Sequence, residues 1–294
     1  MEDDTDVLSG QSDGCLKRTG SKTYSKILTN KTRRGRERME LTQEVKGRIQ
    51  DKNVQLVGIA PVERFEGAPV GRHPKDILPT ARNVIVAAVH VLDSVYDLPY
   101  TRYEYTNQFF ILNSRLNSMA TYVCEFLESK GYRNIPIPAA YPRVNKDLCG
   151  LLSHRHAAVL AGIGEFALNN MLTTPQYGSR VRLVSIVTEA ELDADEPYIG
   201  SLCKKIQGEC KKVCVRNCPV QAISEEGWVN KDLCLRYQEQ IMPWSAAELR
   251  CGMCVGSCPI AQRKWKIPAG TRSEEVKEIK EIWAGAKWTS AKKR

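Results

Sequence analysis

Apolar residues recur at every fourth position between Leu41 and Lys52, at Leu41, Val45 and Ile49, the period of an amphipathic helix. The pattern then shortens. Val54 to Ala60 is an apolar run stopped by Pro61 and predicts a buried strand, and Val84 to Leu92, broken by His90, predicts a second. Phe109 to Lys130 carries Ile111, Leu112, Leu116, Met119, Val123 and Leu127 on one side and ends before Gly131, as a long helix with a glycine cap would. Asn134 to Pro138 reads as a short strand, and Leu151 to Leu160 as a helix followed by the Gly162-Ile163-Gly164 turn. Within Arg180 to Thr188, residues Val181, Leu183, Ser185 and Val187 alternate as in a strand. Helices and strands therefore alternate from Met39 to about Asp195, which predicts an α+β domain over residues 39–195.

The flanks look different. Residues 1–38 are polar and lack a lasting apolar period, so they are expected to form a disordered tail, lying upstream of a true start at Met39. Residues 263–294 read as a basic, partly helical extension. The net charge of +9 resides entirely in these two segments, with a surplus of three in the first and six in the second. Basic ends are usually solvated, and tRNA is only weakly supported as a partner by charge alone. The longest apolar run is far too short to span a bilayer, and no apolar segment follows Arg33-Arg34. No membrane association is expected, and a cytoplasmic location is.

Cysteine changes the picture most. Eight of the eleven cysteines fall within 56 positions, in the runs Cys203-x6-Cys210-x3-Cys214-x3-Cys218-Pro219 and Cys234, Cys251-x2-Cys254-x3-Cys258-Pro259. Each run closes on C-x3-C-P, the signature of a bacterial ferredoxin half, and eight soft thiolates match two [4Fe–4S] clusters. In such ferredoxins the last cysteine of each run serves the other cluster. That rule assigns Cys203, Cys210, Cys214 and Cys258 to cluster one, and Cys218, Cys234, Cys251 and Cys254 to cluster two. Structural zinc is the competing reading, although only Cys251/Cys254 and Cys210/Cys214 offer the paired knuckles it favours. The six residues between Cys203 and Cys210 depart from the usual two.

The segment upstream carries Val57-Gly58-Ile59-Ala60-Pro61, Ala161-Gly162-Ile163-Gly164, Thr174-Pro175-Gln176-Tyr177-Gly178 and Val181-Arg182, in that order, before the cysteines. Over about residues 40–262 this series resembles the superfamily of epoxyqueuosine reductases and reductive dehalogenases. The resemblance implies a nitroreductase-like, cobalamin-binding type of domain followed by a two-[4Fe–4S] ferredoxin-like domain over residues 196–262. It also implies an oxidoreductase whose clusters pass electrons to a corrinoid. By the same resemblance Gly162, Gly164, Thr174, Tyr177 and Gly178 are expected to hold the corrinoid. Asp147 lies near the place where the tRNA-modifying members keep an acid, Tyr105 lies in the region of the dehalogenase tyrosine, and Arg182 matches a substrate-facing arginine. His156, in His154-Arg155-His156, adds an acid–base candidate; residues two apart on a helix face different ways, so the two histidines are not expected to share a metal. A small ferredoxin- or flavodoxin-type donor is the expected partner. The alternative is a corrinoid-free electron-transfer protein serving a partner enzyme.

Overall fold

The structure, a computed structural model, describes residues 20–97, 101–140, 150–240 and 250–262. In chain order the elements are α1 (Gly20–Gln50), β1 (Leu56–Pro61), a 3-10 turn (Val62–Phe65), α2 (Pro74–Ile77), β2 (Asn83–His90), α3 (Ser94–Asp97), α4 (Thr101–Ser129) and β3 (Asn134–Ile137). They continue with α5 (His154–Leu160), β4 (Glu165–Phe166), β5 (Leu172–Thr173), β6 (Val181–Thr188), α6 (Leu202–Cys210), α7 (Val213–Arg216), α8 (Lys231–Gln240) and α9 (Met253–Gly256).

The main sheet runs β1-β2-β6-β3 and every pair in it is antiparallel. Helices cover both faces, so the two central strands alternate between two cores rather than between core and water. Ile85, Ala87, Val89, Val184 and Ile186 point to the side packed by α1 and α4. Val84, Val86, Ala88, Leu183 and Val187 point to the side packed by α5 and the 3-10 turn. Burial of both faces explains why Val84 to Val89 reads as an unbroken apolar run. Leu116, fully buried in the first core, lies at the middle of that packing. Leu116→Ala is expected to cost about 3 kcal/mol, read as a lower midpoint in chemical denaturation.

Several boundaries differ from expectation for identifiable reasons. The expected tail is helical from Gly20 onward, as the first turns of α1, which bears an Arg33–Glu37 pair one turn apart. Residues 1–19 and 263–294 lie outside the described residues. The long helix α4 begins at Thr101 instead of Phe109, because its first turns pack on the cysteine segment and not on the sheet. There Thr106 Oγ1 accepts from Arg250 N at 2.8 Å, and the Tyr105 ring lies over Gly252. Helix α5 starts at His154, not Leu151, because Ser153 caps it.

The cysteine segment has few buried apolar residues of its own, chiefly Ala222, Ile223 and Val255. One buried side chain, next to the start of β6, makes three hydrogen bonds to it. Arg180, 1% exposed, donates to Ile260 O at 3.1 Å, Gly256 O at 3.3 Å and Cys258 O at 2.6 Å. Its guanidinium also lies 3.5 Å from Asp93, which in turn lies 3.5 Å from His90. Among the described residues, no helix is long and apolar enough to cross a membrane.

Candidate cluster and cavity site

The eight cysteines of the two runs fall into two electrostatic neighbourhoods. Burial first, then the neighbouring Cys258 and Cys203, push the Cys214 thiol up to about 11. Cys258 is raised by burial and by Cys203 and Cys210. In the other neighbourhood, burial and then Cys251 and Cys218 raise Cys234, while burial with Cys251 and Cys234 pushes Cys254 up to about 12. Cys254 also senses Cys214, so the two groups adjoin. Thiols that oppose one another's ionisation release their protons together only when positive charge enters between them, which is the electrostatics of a metal-binding donor set. The chemistry of the donor set, four soft thiolates in each neighbourhood, fits an iron–sulfur cluster, and it also fits zinc.

Local structure places each sulfur. Cys203 and Cys210 occupy α6, so the extra residues between them are helix and not a loose bulge. Lys211 and Lys212 then take left-handed backbone, φ 48° and 51°, turning the chain so that Cys214 can sit in α7. The sulfurs also receive N–H groups: Leu168 N at 3.4 Å from Cys203 Sγ, Ala222 N at 3.2 Å from Cys218 Sγ, and Gln238 Nε2 at 3.5 Å from Cys234 Sγ. Such donors stabilise negative charge on sulfur and tune any cluster held there.

A cavity of about 750 Å³ opens between α5 and the end of β6, lined by apolar residues such as Leu152, Val181 and Leu183 and by Arg182, His154 and His156. That size and balance suit a small-molecule or cofactor site. Arg182 Nε donates to Asn113 Oδ1 at 3.0 Å, and its guanidinium lies 4.2 Å from the centroid of Phe109. Burial lowers its pKa and the Tyr105 and Tyr96 hydroxyls oppose that shift, but a guanidinium stays charged. His156 Nδ1 lies 2.7 Å from Ser153 Oγ, its ring tilted against Phe166 at 4.7 Å. Burial, then Arg155 and Lys231, lower its pKa, so it is neutral and able to accept a proton at pH 7.

His154 behaves differently. Its ring nitrogens lie 2.8 Å from Ser185 Oγ and 2.9 Å from Pro138 O, so both are occupied. Burial lowers it from 6.5 to about 4, opposed by the Pro138 carbonyl and reinforced by Arg182. The unfolded chain takes up this proton below pH 6.5 and the folded chain only near 4, so the associated stability is complete above 6.5 and is lost as pH falls toward 4. Denaturation at stepped pH should show His154→Gln losing less stability than the parent across that window, by about 3 kcal/mol.

Of the residues singled out from sequence, Arg182 and His156 line the cavity together. Tyr105 does not: it is buried beside Tyr96, ring centroids 5.4 Å apart, and burial raises its pKa. Asp147 lies outside the described residues. Gly162, Gly164, Thr174, Tyr177 and Gly178 are absent from the cavity lining, and their surroundings are protein. A Cβ at Gly162 would meet Glu196 O, at Gly164 Thr173 O, and at Gly178 Ile260 O. Thr174 is fully buried, its Oγ1 accepting from Tyr177 N at 3.0 Å, and Tyr177 stacks on His90 at 4.5 Å. At each of these glycines another stretch of backbone passes close by. Sequence reasoning missed Arg180, Asn113 and Phe109 as site-shaping residues, since neither period nor motif marks an arginine that turns inward at a strand end.

No protein-family model matches the chain. The epoxyqueuosine reductase of Bacillus subtilis (strain 168) is 27% identical over 238 residues, covering 74% of this chain and 57% of that protein. The tetrachloroethene reductive dehalogenase of Sulfurospirillum multivorans is 29% identical over 217 residues, covering 66% of this chain and 38% of that one. This chain thus spans about half the length of these relatives. A solved reductive dehalogenase, whose structure suggests a mechanism for B12-dependent dehalogenation, shares the fold with a TM-score of 0.58 at 18% identity, covering 82% of this chain and 33% of that chain.

Proposed function

Because the chain resembles epoxyqueuosine reductases and reductive dehalogenases in sequence and, more distantly, in fold, we propose that it is an iron–sulfur reductase. Its residues 39–195 form the cofactor domain and residues 196–262 the two-cluster domain. Cys203, Cys210, Cys214 and Cys258 would hold one [4Fe–4S] cluster, and Cys218, Cys234, Cys251 and Cys254 the other. When bound, the clusters supply single electrons and a corrinoid in the cavity supplies a strongly reducing cobalt centre. The observation that carries this reading is the grouping of eight thiols into two sets of four in a chain whose cavity presents the Arg182 guanidinium.

The chain's own residues do the remaining work. Arg182, held by Asn113 and Phe109, fixes a positive charge at the cavity wall and favours an anion that develops there. His156, neutral and anchored through Ser153, holds or passes a proton at Nε2. Asp147 is the proposed acid of the segment between Ala140 and Gly150. The apolar wall of Leu152, Val181 and Leu183 excludes water and strengthens both effects. The electron donor is a small ferredoxin- or flavodoxin-type protein in the cytoplasm. Reduction of a tRNA nucleoside is the weaker substrate reading.

One observation favours a second reading. Tyr105 lies outside the cavity, so the dehalogenase tyrosine has no counterpart there among the described residues. A corrinoid-free electron-transfer protein would need none. Anaerobic purification with metal analysis and a visible spectrum separates the two. About eight irons and one cobalt per chain support the reductase; the same iron without corrinoid uptake favours the carrier. Zinc without visible absorbance overturns both.

A further inference from the structure

We propose that the outer face of α6 and the α6–α7 turn, with Ile199 and Trp228 beside it, is the docking surface for an acidic single-electron carrier protein. The inference rests on the cluster reading above and adds the place and chemistry of electron entry.

Three observations converge on this surface. The first is charge. Between Cys203 and Cys218 the chain carries Lys204, Lys205, Lys211, Lys212 and Arg216 against one carboxylate, Glu209. Lys212 pairs with Glu225 at 2.6 Å, but among the described residues Lys204, Lys205, Lys211 and Arg216 form no ion pair. The second is exposed apolar surface. Ile199 is 97% and Trp228 80% exposed; each adjoins in sequence a residue, Gly200 or Gly227, that lines a depression of about 460 Å³ together with Cys203, Lys204 and the carboxylates Glu165 and Glu226. Large apolar side chains held in water beside a basic rim mark a protein-binding face. The third is strain. Consecutive left-handed lysines are costly, and Arg216 holds the turn by donating to Lys211 O at 2.9 Å and to Cys210 O at 3.4 Å. That turn keeps Lys211 exposed directly after a candidate ligand.

The surface shares its helix with two cysteines of group one. Cys203 and Cys210 belong to the same helix as Lys204 and Lys205, and Cys203 lines the depression. The additional residues between these cysteines, anomalous as a ligand spacing, thus carry half of the basic rim. One electron passes from the reduced carrier to the group-one cluster. The carrier is oxidised by one electron, the cluster is reduced by one, and no bond breaks. An RNA strand also seeks positive charge, but it needs a track of cations along its backbone. Here the cations gather on one short helix and turn around two sulfur ligands, beside an apolar depression, which fits a compact carrier.

The test uses the full-length, anaerobically purified protein and reduced acidic ferredoxin. For Lys204→Glu/Lys205→Glu, and separately for Trp228→Ala, the second-order rate of visible bleaching by ferredoxin should fall at least about tenfold at low salt. In the charge-reversed variant the deficit should shrink at high salt. Iron content and bleaching by a neutral photoreductant such as deazaflavin should not change. Unchanged ferredoxin rates overturn the proposal, as does an equal loss with deazaflavin. Loss of tRNA stem-loop binding with ferredoxin rates intact would assign the surface to RNA and also overturn it. Calorimetric titration with ferredoxin gives a readout independent of clusters. If the protein holds no iron, the cluster reading fails, and a dissociation constant weakened or unchanged in the charge-reversed variant still upholds or overturns the docking face.

Discussion

Replacing Cys254 by serine is expected to remove about four of about eight irons per chain and leave the remaining cluster in place. Cys254 sits in α9, half-buried, with Asn169 Nδ2 donating to its carbonyl at 3.1 Å, so the backbone there is held independently of the sulfur. Its electrostatic neighbours are Cys251 and Cys234, then Cys214 across the group boundary and Cys218. A serine hydroxyl is a harder, weaker ligand for iron than a thiolate, and group two would then lack its fourth soft donor. The cross-run assignment makes a sharper forecast. Cys258→Ser should strip the same iron as Cys214→Ser, although Cys258 lies four positions from Cys254 in sequence. Electron paramagnetic resonance of the reduced variants would distinguish the surviving clusters. Cys124→Ser serves as control, because Cys124 packs in the sheet core and should keep every iron. Full iron in Cys254→Ser would refute the ligand partition.

Arg180→Leu should be the most disruptive substitution outside the cysteines. Removing the guanidinium takes a cation from Asp93, only 8% exposed, and three carbonyls of residues 256–260 lose its N–H groups. Loss of one partner from such a buried charge network costs about 3–5 kcal/mol. The damage should concentrate in the cysteine segment, since Arg180 supplies three of the hydrogen bonds that join it to the preceding residues. The expected signs are a lower melting temperature, reduced iron content and early proteolysis between residues 196 and 262. Arg180→Lys should recover only part, because a single ammonium cannot address Asp93 and three carbonyls together. If Arg180→Leu retained parental stability and iron, the segment would be held by something other than this side chain.

The parts of the fold that sequence made legible are those where one physical demand acts alone. Val84 to Val89 had to be apolar because both faces are covered, and Leu116 to Leu127 repeats with the helix because one face meets the sheet. Legibility failed where two segments far apart in sequence shape each other. Thr101 to Glu104 carries no helical apolar stripe, because the nearby turns of α4 answer to Thr106 and Tyr105 contacts with residues 250–252. At Gly162, Gly164 and Gly178 the sequence shows a missing Cβ but not that the backbone of Glu196, Thr173 and Ile260 lies against it. Arg180 was invisible, since a long cation at a strand end is ordinarily a surface residue.

Helix α4 reaches from Leu116 and Leu127 in the sheet core to Tyr105, whose ring occupies the space a Cβ on Gly252 would need. Gly252 stands between Cys251 and Cys254 at φ 63°, so the ring is seated on the backbone that presents two sulfurs. Amide hydrogen exchange in the turn around Tyr105 and Thr106 should therefore slow when group two takes up iron, while the turns around Leu116 to Leu127 exchange at one rate with or without it. A backbone probe within an iron-free helix would thus report the occupancy of a neighbouring metal site.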